Sequence, residues 1–401
     1  MNFITKESKI YFLASIGFMK NLFTFFAFLL VSLLIPCVAS AVYEPATRPN
    51  NKFGIHILFP AELEKAKLLV NSNGGDWGYV TIPIQAGDRD LEKWQDFMTN
   101  AAKMHLVPII RIATEAFWAN TGVWRKPTDY DILDFANFLN SLTWPTKNRY
   151  VLLFNEVNRY DEWGGEAPSP EEYADFVEYA VDTFKTRSQN FYIIAGGLDN
   201  ASPNDQVKYF DNLYFLRRMG LYNPKVFEKI DGFSSHSYPN PNFAQAPSQF
   251  LTESTSTYKH EIAIVDEFTD KPTPVFITET GWNADALKVE TVASYFKTAM
   301  IDIWGQDSRV IAVTPFILES SGGPFDKFTF YKGEGLTFYG KTYQNLKKTR
   351  GEPILNDIPK IAKNVDLQES KLKFDSKKLV DVKLSSNVLK SYIKSLLSMG
   401  I

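Results

Sequence analysis

From residue 52 to residue 349 the sequence alternates between short apolar, β-rich runs and longer stretches of helical period, and it completes that alternation eight times. The strand-like runs are KFGIHIL (52–58), YVTIPI (79–84), VPIIRIA (107–113), YVLLFNE (150–156), FYIIAGG (191–197), DGFSSHSY (231–238), PVFITET (274–280) and VIAVTPFIL (310–318). Most are nearly continuous in apolar residues, as strands covered on both faces must be. Between them lie helix patterns, the clearest being SPEEYADFVEYAVDTFK. There Ser169 is a cap, Pro170 suits the first helical position, Glu172 completes a capping box, and Tyr173, Phe176, Val177, Ala180, Val181 and Phe184 form one apolar stripe. Eight βα units over about 300 residues predict an α/β fold, a (β/α)8 barrel of the TIM type, closed by a last helix at roughly 335–349. A doubly wound open sheet is the competing layout. It calls for a glycine-rich turn after the first strand, where this chain has Phe59-Pro60-Ala61-Glu62-Leu63.

The flanks read differently. Lys20 precedes an apolar run from Leu22 to Val38 that ends in Ala39-Ser40-Ala41, the pattern of a signal peptide with its cleavage site. Residues 1–41 are therefore expected to export the chain, and Met19-Lys20 would itself make an ordinary start. If residues 22–38 were retained instead, they would anchor the protein to a membrane at the short limit of a span. The expected organisation is 1–41 as signal peptide or anchor, 42–351 as the barrel, and 352–401 as a Lys-rich tail with a helix pattern near VLKSYIKSLL. The location that follows is secreted, periplasmic or cell-envelope. Cys37, the only cysteine, lies in the leader, so the mature chain has no disulfide, thiol nucleophile or thiolate metal site.

With 43 basic and 46 acidic residues the chain has a formal net charge of −3. That gives no positive field for nucleic acid. Four histidines scattered singly provide no metal-ligand spacing, and Gly196-Gly197 and Gly322-Gly323 lack the lysine of a phosphate loop and read as turns. Neither a metal nor a cofactor is expected.

In such a barrel the C-terminal ends of all strands open on one face, so polar residues at those ends converge. The fourth run ends Asn155-Glu156, the sixth carries His236 and Tyr238, the seventh ends Glu279-Thr280-Gly281-Trp282, the third carries Arg111 and the first His56. Glu156 and Glu279 are 123 residues apart, three units of about 41, and so fall at equivalent heights. A carboxylate at a buried strand end is costly without a partner or a task. Two of them across one cleft are what glycoside hydrolysis requires, one to protonate the leaving oxygen and one to meet the anomeric carbon.

FNEVN on the fourth strand and ITETGW on the seventh, with HSYP on the sixth, resemble the paired motifs of retaining glycoside hydrolases of clan A, the four-seven barrel superfamily. The resemblance covers about residues 52–350. It implies Glu156 as general acid/base, Glu279 as nucleophile about 5–5.5 Å away, and Asn155 as donor to a sugar 2-hydroxyl. Tyr238 is expected to hold Glu279, Arg111 to steady Glu279 or another carboxylate, and His236 and His56 to reach the substrate or lie in the core. Phe117, Trp118, Trp124, Trp163 and Trp282 are candidate stacking platforms, with Trp163 and Trp282 preferred because they follow the two motifs. The superfamily's usual eighth-strand tryptophan is not evident in VIAVTPFILESSGGPFDKF, and Phe316, Glu319 or Phe325 is expected to form that wall. The fourth-strand motif reads Asn-Glu-Val where many relatives have Asn-Glu-Pro, so no family within the clan follows from it. The partner implied is a carbohydrate with β-glycosidic bonds. The competing reading from another class is a non-catalytic carbohydrate-binding envelope protein on the same scaffold.

Overall fold

The computed structural model describes residues 42–117, 120–320 and 322–356. The leader with Cys37, Trp118, and the tail helix pattern at 388–397 lie outside the described residues. Eight parallel strands form one sheet in sequential order: β1 (Gly54–His56), β2 (Gly78–Gln85), β3 (Leu106–Ala113), β4 (Arg149–Leu153), β5 (Phe191–Asp199), β6 (Gly232–His236), β7 (Val275–Glu279) and β8 (Val310–Val313). The sheet closes on itself. Phe53 bridges Val313 in parallel, the His56 amide donates to Pro315 O (3.0 Å), and the Leu318 amide donates to His56 O (2.9 Å). The predicted eightfold barrel is thus observed, with every predicted run contributing one strand.

One labelled helix follows each strand: α1 (Leu63–Val70), α2 (Leu91–Lys103), α3 (Asp129–Ser141), α4 (Pro170–Arg187), α5 (Asn212–Tyr222), α6 (Thr257–Val265), α7 (Val289–Thr298) and α8 (Phe338–Asn345). Helix α4 begins where its sequence dictates, with Ser169 Oγ accepting from the Glu172 amide (3.2 Å) and the predicted apolar stripe buried. Residues 352–356 stay with the barrel: the Lys147 amide donates to Ile354 O (2.8 Å), and Asn356 Nδ2 donates to Thr146 O (2.7 Å).

Because successive strand residues face opposite sides, the barrel interior fills in layers. At the N-terminal end the rings of Tyr79, Tyr150, Tyr192 and Phe276 pack with centroids 4.9–6.0 Å apart. One residue pair further along comes a belt of hydroxyls, in which Thr81 and Thr314 share a hydrogen bond (2.9 Å) and Ser234 meets Thr278. The third layer, at the C-terminal face, carries the ionisable residues. Strand boundaries differ from the sequence expectation chiefly there. Strand β4 stops at Leu153, three residues short of Glu156, and β1 and β8 end at His56 and Val313, because beyond them the chain turns inward to build the site.

Candidate active site

Glu279 is the last residue of β7 and is held at both oxygens. Arg111 of β3 donates from Nη1 to Oε1 (2.7 Å), and the Tyr238 hydroxyl, from just beyond β6, donates to Oε2 (3.1 Å). Burial alone would raise its pKa, but the charges of His236 and Arg111, with lesser help from His56 and Tyr238, outweigh burial and hold the carboxyl below the ordinary range.

Glu156 arrives differently. Past Leu153 the chain leaves the strand, and Phe154 (φ 60°) and Glu156 (φ 39°) both adopt the left-handed region. Such conformations cost non-glycine residues of order 1–3 kcal/mol and persist where surroundings enforce them. Part of the enforcement comes from β5, where Gly197 O accepts the Glu156 amide (2.9 Å). Gly196 and Gly197 are not the turn expected from sequence; they form an irregularity inside β5, where the register with β6 shifts, both at positive φ. A Cβ on Gly197 would stand 3.1 Å from His236 Nε2 and from Ser234 Oγ, so glycine is what lets β5 pass close to the site histidine. Burial pushes the pKa of Glu156 up, the charge of Asp199 adds to this, and the hydrogen bond from His236 only partly offsets it.

His236 lies between the two carboxylates. Its Nδ1 is 3.0 Å from Glu156 Oε1 and 3.9 Å from Glu279 Oε2. Burial lowers its pKa, yet the two carboxylates more than compensate and the net direction is upward. One oxygen of Glu156, one of Glu279 and a His236 nitrogen all lie within 4.8 Å of one another. These are also the donor types of a cation site. Arg111 and Tyr238 already occupy both oxygens of Glu279, and a cation would have to displace them.

Around this centre is a cleft of about 590 Å³, the size of a small-ligand or oligosaccharide subsite. Arg111, Asn155, Glu156, Tyr238 and Glu279 line it, as the sequence places them. Asn155 is held at both ends: Oδ1 accepts from Arg111 Nη1 (2.6 Å) and Nδ2 donates to Glu162 Oε1 (3.1 Å).

Four expected substrate contacts are corrected. Trp282 is 1% exposed, donates its indole N–H to Gln245 O (2.8 Å) and packs on Tyr295, Phe296 and Trp304; Trp163, also 1% exposed, packs edge-on to Tyr173. Both are core, and neither offers a face to the cleft. His56 is fully buried beneath the cleft floor, its Nδ1 3.7 Å from Glu279 Oε1 and its ring edge-on to Phe316. Burial and the charge of Arg111 lower its pKa to about 3, against the pull of Glu279. His236, 1% exposed, touches the carboxylates and does not line the cleft.

Besides Tyr238, the aromatic surfaces that reach the cleft are Trp124, Phe154, Phe243, Phe316, Phe325 and Phe328, with Phe316 and Phe325 on the wall where tryptophan was expected and Glu319 turned away to Lys65 (2.8 Å). Sequence reading missed Arg159, Glu162 and Asp199, which line the charged side. Burial, with the charge of Glu156 adding to it, raises the Glu162 pKa to about 7. The one signal for Arg159 and Glu162 was the cluster Arg159-Tyr160-Asp161-Glu162 directly after the fourth-strand motif, and Asp199, at the end of β5, had none.

No protein-family model matches the chain, and no curated protein matches it. Solved structures do. A family 39 glycoside hydrolase from the gut symbiont Bacteroides cellulosilyticus WH2 superposes with a TM-score of 0.53 at 16% identity, covering 77% of this chain and 66% of that one. An endo-β-1,4-glucanase from Xanthomonas axonopodis pv. citri superposes with a TM-score of 0.51 at 9% identity, covering 73% of this chain and 97% of that one. What the chain shares with both glycoside hydrolases is the (β/α)8 barrel. At these identities the likeness speaks for the barrel, and the chemistry rests on the residues of this chain. Among the described residues no helix is long and apolar enough to cross a membrane.

Proposed function

We propose that the protein is an exported, retaining β-glycosidase acting without a cofactor on a polysaccharide or oligosaccharide, with Glu156 as acid/base and Glu279 as nucleophile. The observation that carries this reading is the pair itself: two carboxylates from opposite sides of one cleft, with oxygens within 4.8 Å, whose proton affinities are driven in opposite directions. Carboxyl groups about 5–5.5 Å apart suit double displacement, whereas inversion needs about 6.5–9.5 Å to admit a water. Environments that separate two pKa values assign the acid and the base.

In the first step Glu156 gives its proton to the glycosidic oxygen as Glu279, kept ionised by Arg111, His236 and Tyr238, attacks the anomeric carbon. Esterification of Glu279 removes one negative charge from the surroundings of Glu156. Its pKa falls, and Glu156 then takes a proton from the water that releases the sugar. Asn155, its amide oriented by Arg111 and Glu162, is positioned to donate its second N–H to the 2-hydroxyl. Export is carried in this proposal by residues 1–41, and residues 352–401 have no part in the chemistry.

The test is reducing-end release across xylans, β-glucans, mannans, galactans and bacterial exopolysaccharides, beside Glu156→Ala and Glu279→Ala, with the anomeric form of the first product followed by NMR. Release of the β-anomer, lost in both variants, is expected. Turnover that survived Glu279→Ala would overturn the mechanism, and binding without turnover would favour the non-catalytic carbohydrate-binding alternative.

A further inference from the structure

The cleft has two unlike flanks, and Glu279 divides them. On its Oε1 side are hydrogen-bonding groups: Arg111, Asn155 and, through Asn155, Glu162. On its Oε2 side Tyr238 spends its hydroxyl on Glu279, and the buried His236, 3.9 Å from Oε2, is taken up by Glu156. Behind it is a hydrophobic cluster separate from the main core, comprising Tyr238, Phe316, Ile317 and Phe328 with Leu58 and Phe243 packed against it. Tyr238 meets Phe243 edge-on at 5.1 Å, Phe243 meets Phe328 at 5.1 Å, and Phe328 meets Phe316 at 6.5 Å. The phenylalanine side chains have neither donors nor acceptors. Asn240, the polar residue at the β6 end, donates its amide to Asn200 Oδ1 (3.2 Å).

A pyranose is also two-sided about its anomeric carbon. One neighbour is C2, followed by the hydroxyl-bearing C3. The other is the ring oxygen, followed by C5 and its substituent. A hydroxyl buried against hydrocarbon without a partner is penalised. With the anomeric carbon at Glu279, the C2–C3 side must therefore face Arg111 and Asn155, and the ring-oxygen side must face the phenylalanines. The group that meets those rings is the substituent on C5.

Building on the glycosidase reading, we infer that the cleft selects sugars whose C5 bears hydrogen or methyl, pentopyranosides and 6-deoxyhexopyranosides, over sugars bearing hydroxymethyl at C5. A hydroxymethyl group would place a hydroxyl among Phe243, Phe316 and Phe328, whose side chains offer it no hydrogen bond. A hydrogen or methyl group lies against the ring faces and edges at no such cost.

The experiment compares kcat/KM on nitrophenyl β-D-xylopyranoside against β-D-glucopyranoside, and on β-D-fucopyranoside against β-D-galactopyranoside. Each pair keeps the ring hydroxyls fixed and changes C5 alone. The C5-hydrogen or C5-methyl member is expected to lead by about tenfold or more in at least one pair. Parity, or preference for the hydroxymethyl member in both pairs, overturns the inference while leaving the glycosidase reading intact. NMR titration of the four methyl β-glycosides reads the same preference without turnover: a preference in binding keeps this inference even where silence of the polysaccharide panel sinks the glycosidase reading, and binding without preference, or none, sinks it. Phe243→Asn places an amide on the wall at a residue whose φ of 54° asparagine tolerates. It should narrow the ratio within the leading pair, and an equal fall of all four rates with the ratio unchanged would overturn the assignment of that wall.

Discussion

The ends of β4 and β7 deliver the same residue type to the same cleft by opposite means. At β7 a buried strand runs into Glu279 with its register against β6 shifting only at the last pair, and Arg111 and Tyr238 fix one carboxylate oxygen each. At β4 the strand stops early, two left-handed residues swing Glu156 inward, and its one close side-chain hydrogen bond is to His236. Both glutamates suffer burial. What separates them is company: cations and a phenol around Glu279, and Asp199 with Glu279 itself among the neighbours of Glu156. The difference teaches that proton affinity here is set across the barrel, by residues from β1, β3, β5 and β6, and not by the local sequence of either motif.

The comparison is broken most severely by Glu279→Gln, which keeps the shape and removes the charge; kcat on any substrate should fall by about 10⁴-fold or more in steady-state assays. The same variant leaves the half-buried Arg111 without its carboxylate partner, though still bonded to Asn155, so thermal unfolding at pH 7 should show a loss of about 1 kcal/mol. Glu156→Gln should behave unlike it. Natural glycosides should lose about 10²–10⁴-fold in kcat, whereas aryl glycosides with acidic leaving groups should keep their first step, visible as a burst. The stability effect reverses as well. A folded-state pKa raised above its unfolded value contributes stability below the unfolded pKa and loses it as pH rises through the folded one. At neutral pH Glu156→Gln should therefore unfold at a higher temperature than the parent, and the gain should vanish below about pH 4.

His236→Asn sharpens the comparison by moving both ends in one direction. Its charge and hydrogen bond lower the pKa of Glu156 and of Glu279 alike, so both limbs of the kcat/KM–pH profile should shift to higher pH. A profile that moved at one limb only would show that His236 serves one carboxylate. The smallest effect is expected for Tyr238→Phe. Loss of one hydrogen bond to Glu279 should raise the acid limb slightly and reduce kcat by about tenfold, with KM little changed.

Much of this was legible from residues. Strand-length apolar runs must be covered on both faces, and eight of them with helices between leave few architectures, so the barrel and the positions of Glu156 and Glu279 followed. Two-residue spacing placed Tyr238 on the same face as His236, and it does reach Glu279. The aromatic platforms did not follow. Trp163 and Trp282 stand next to the motifs in sequence, but the chain turns after each motif and packs both indoles against helix residues, a choice made by partners such as Tyr173 and Phe296. The charged residues Arg159, Glu162 and Asp199 went unread because charges in a loop after a strand look the same whether they face water or a cleft.

Periodicity, being a local property of the chain, determined that this sequence makes an eightfold barrel and that two glutamates stand at its open end. What raises or lowers each glutamate's proton affinity, which tryptophans are core and which wall of the cleft is hydrocarbon depend on contacts between strands far apart in sequence. Closure of the barrel creates those contacts, and only the tertiary structure decided them.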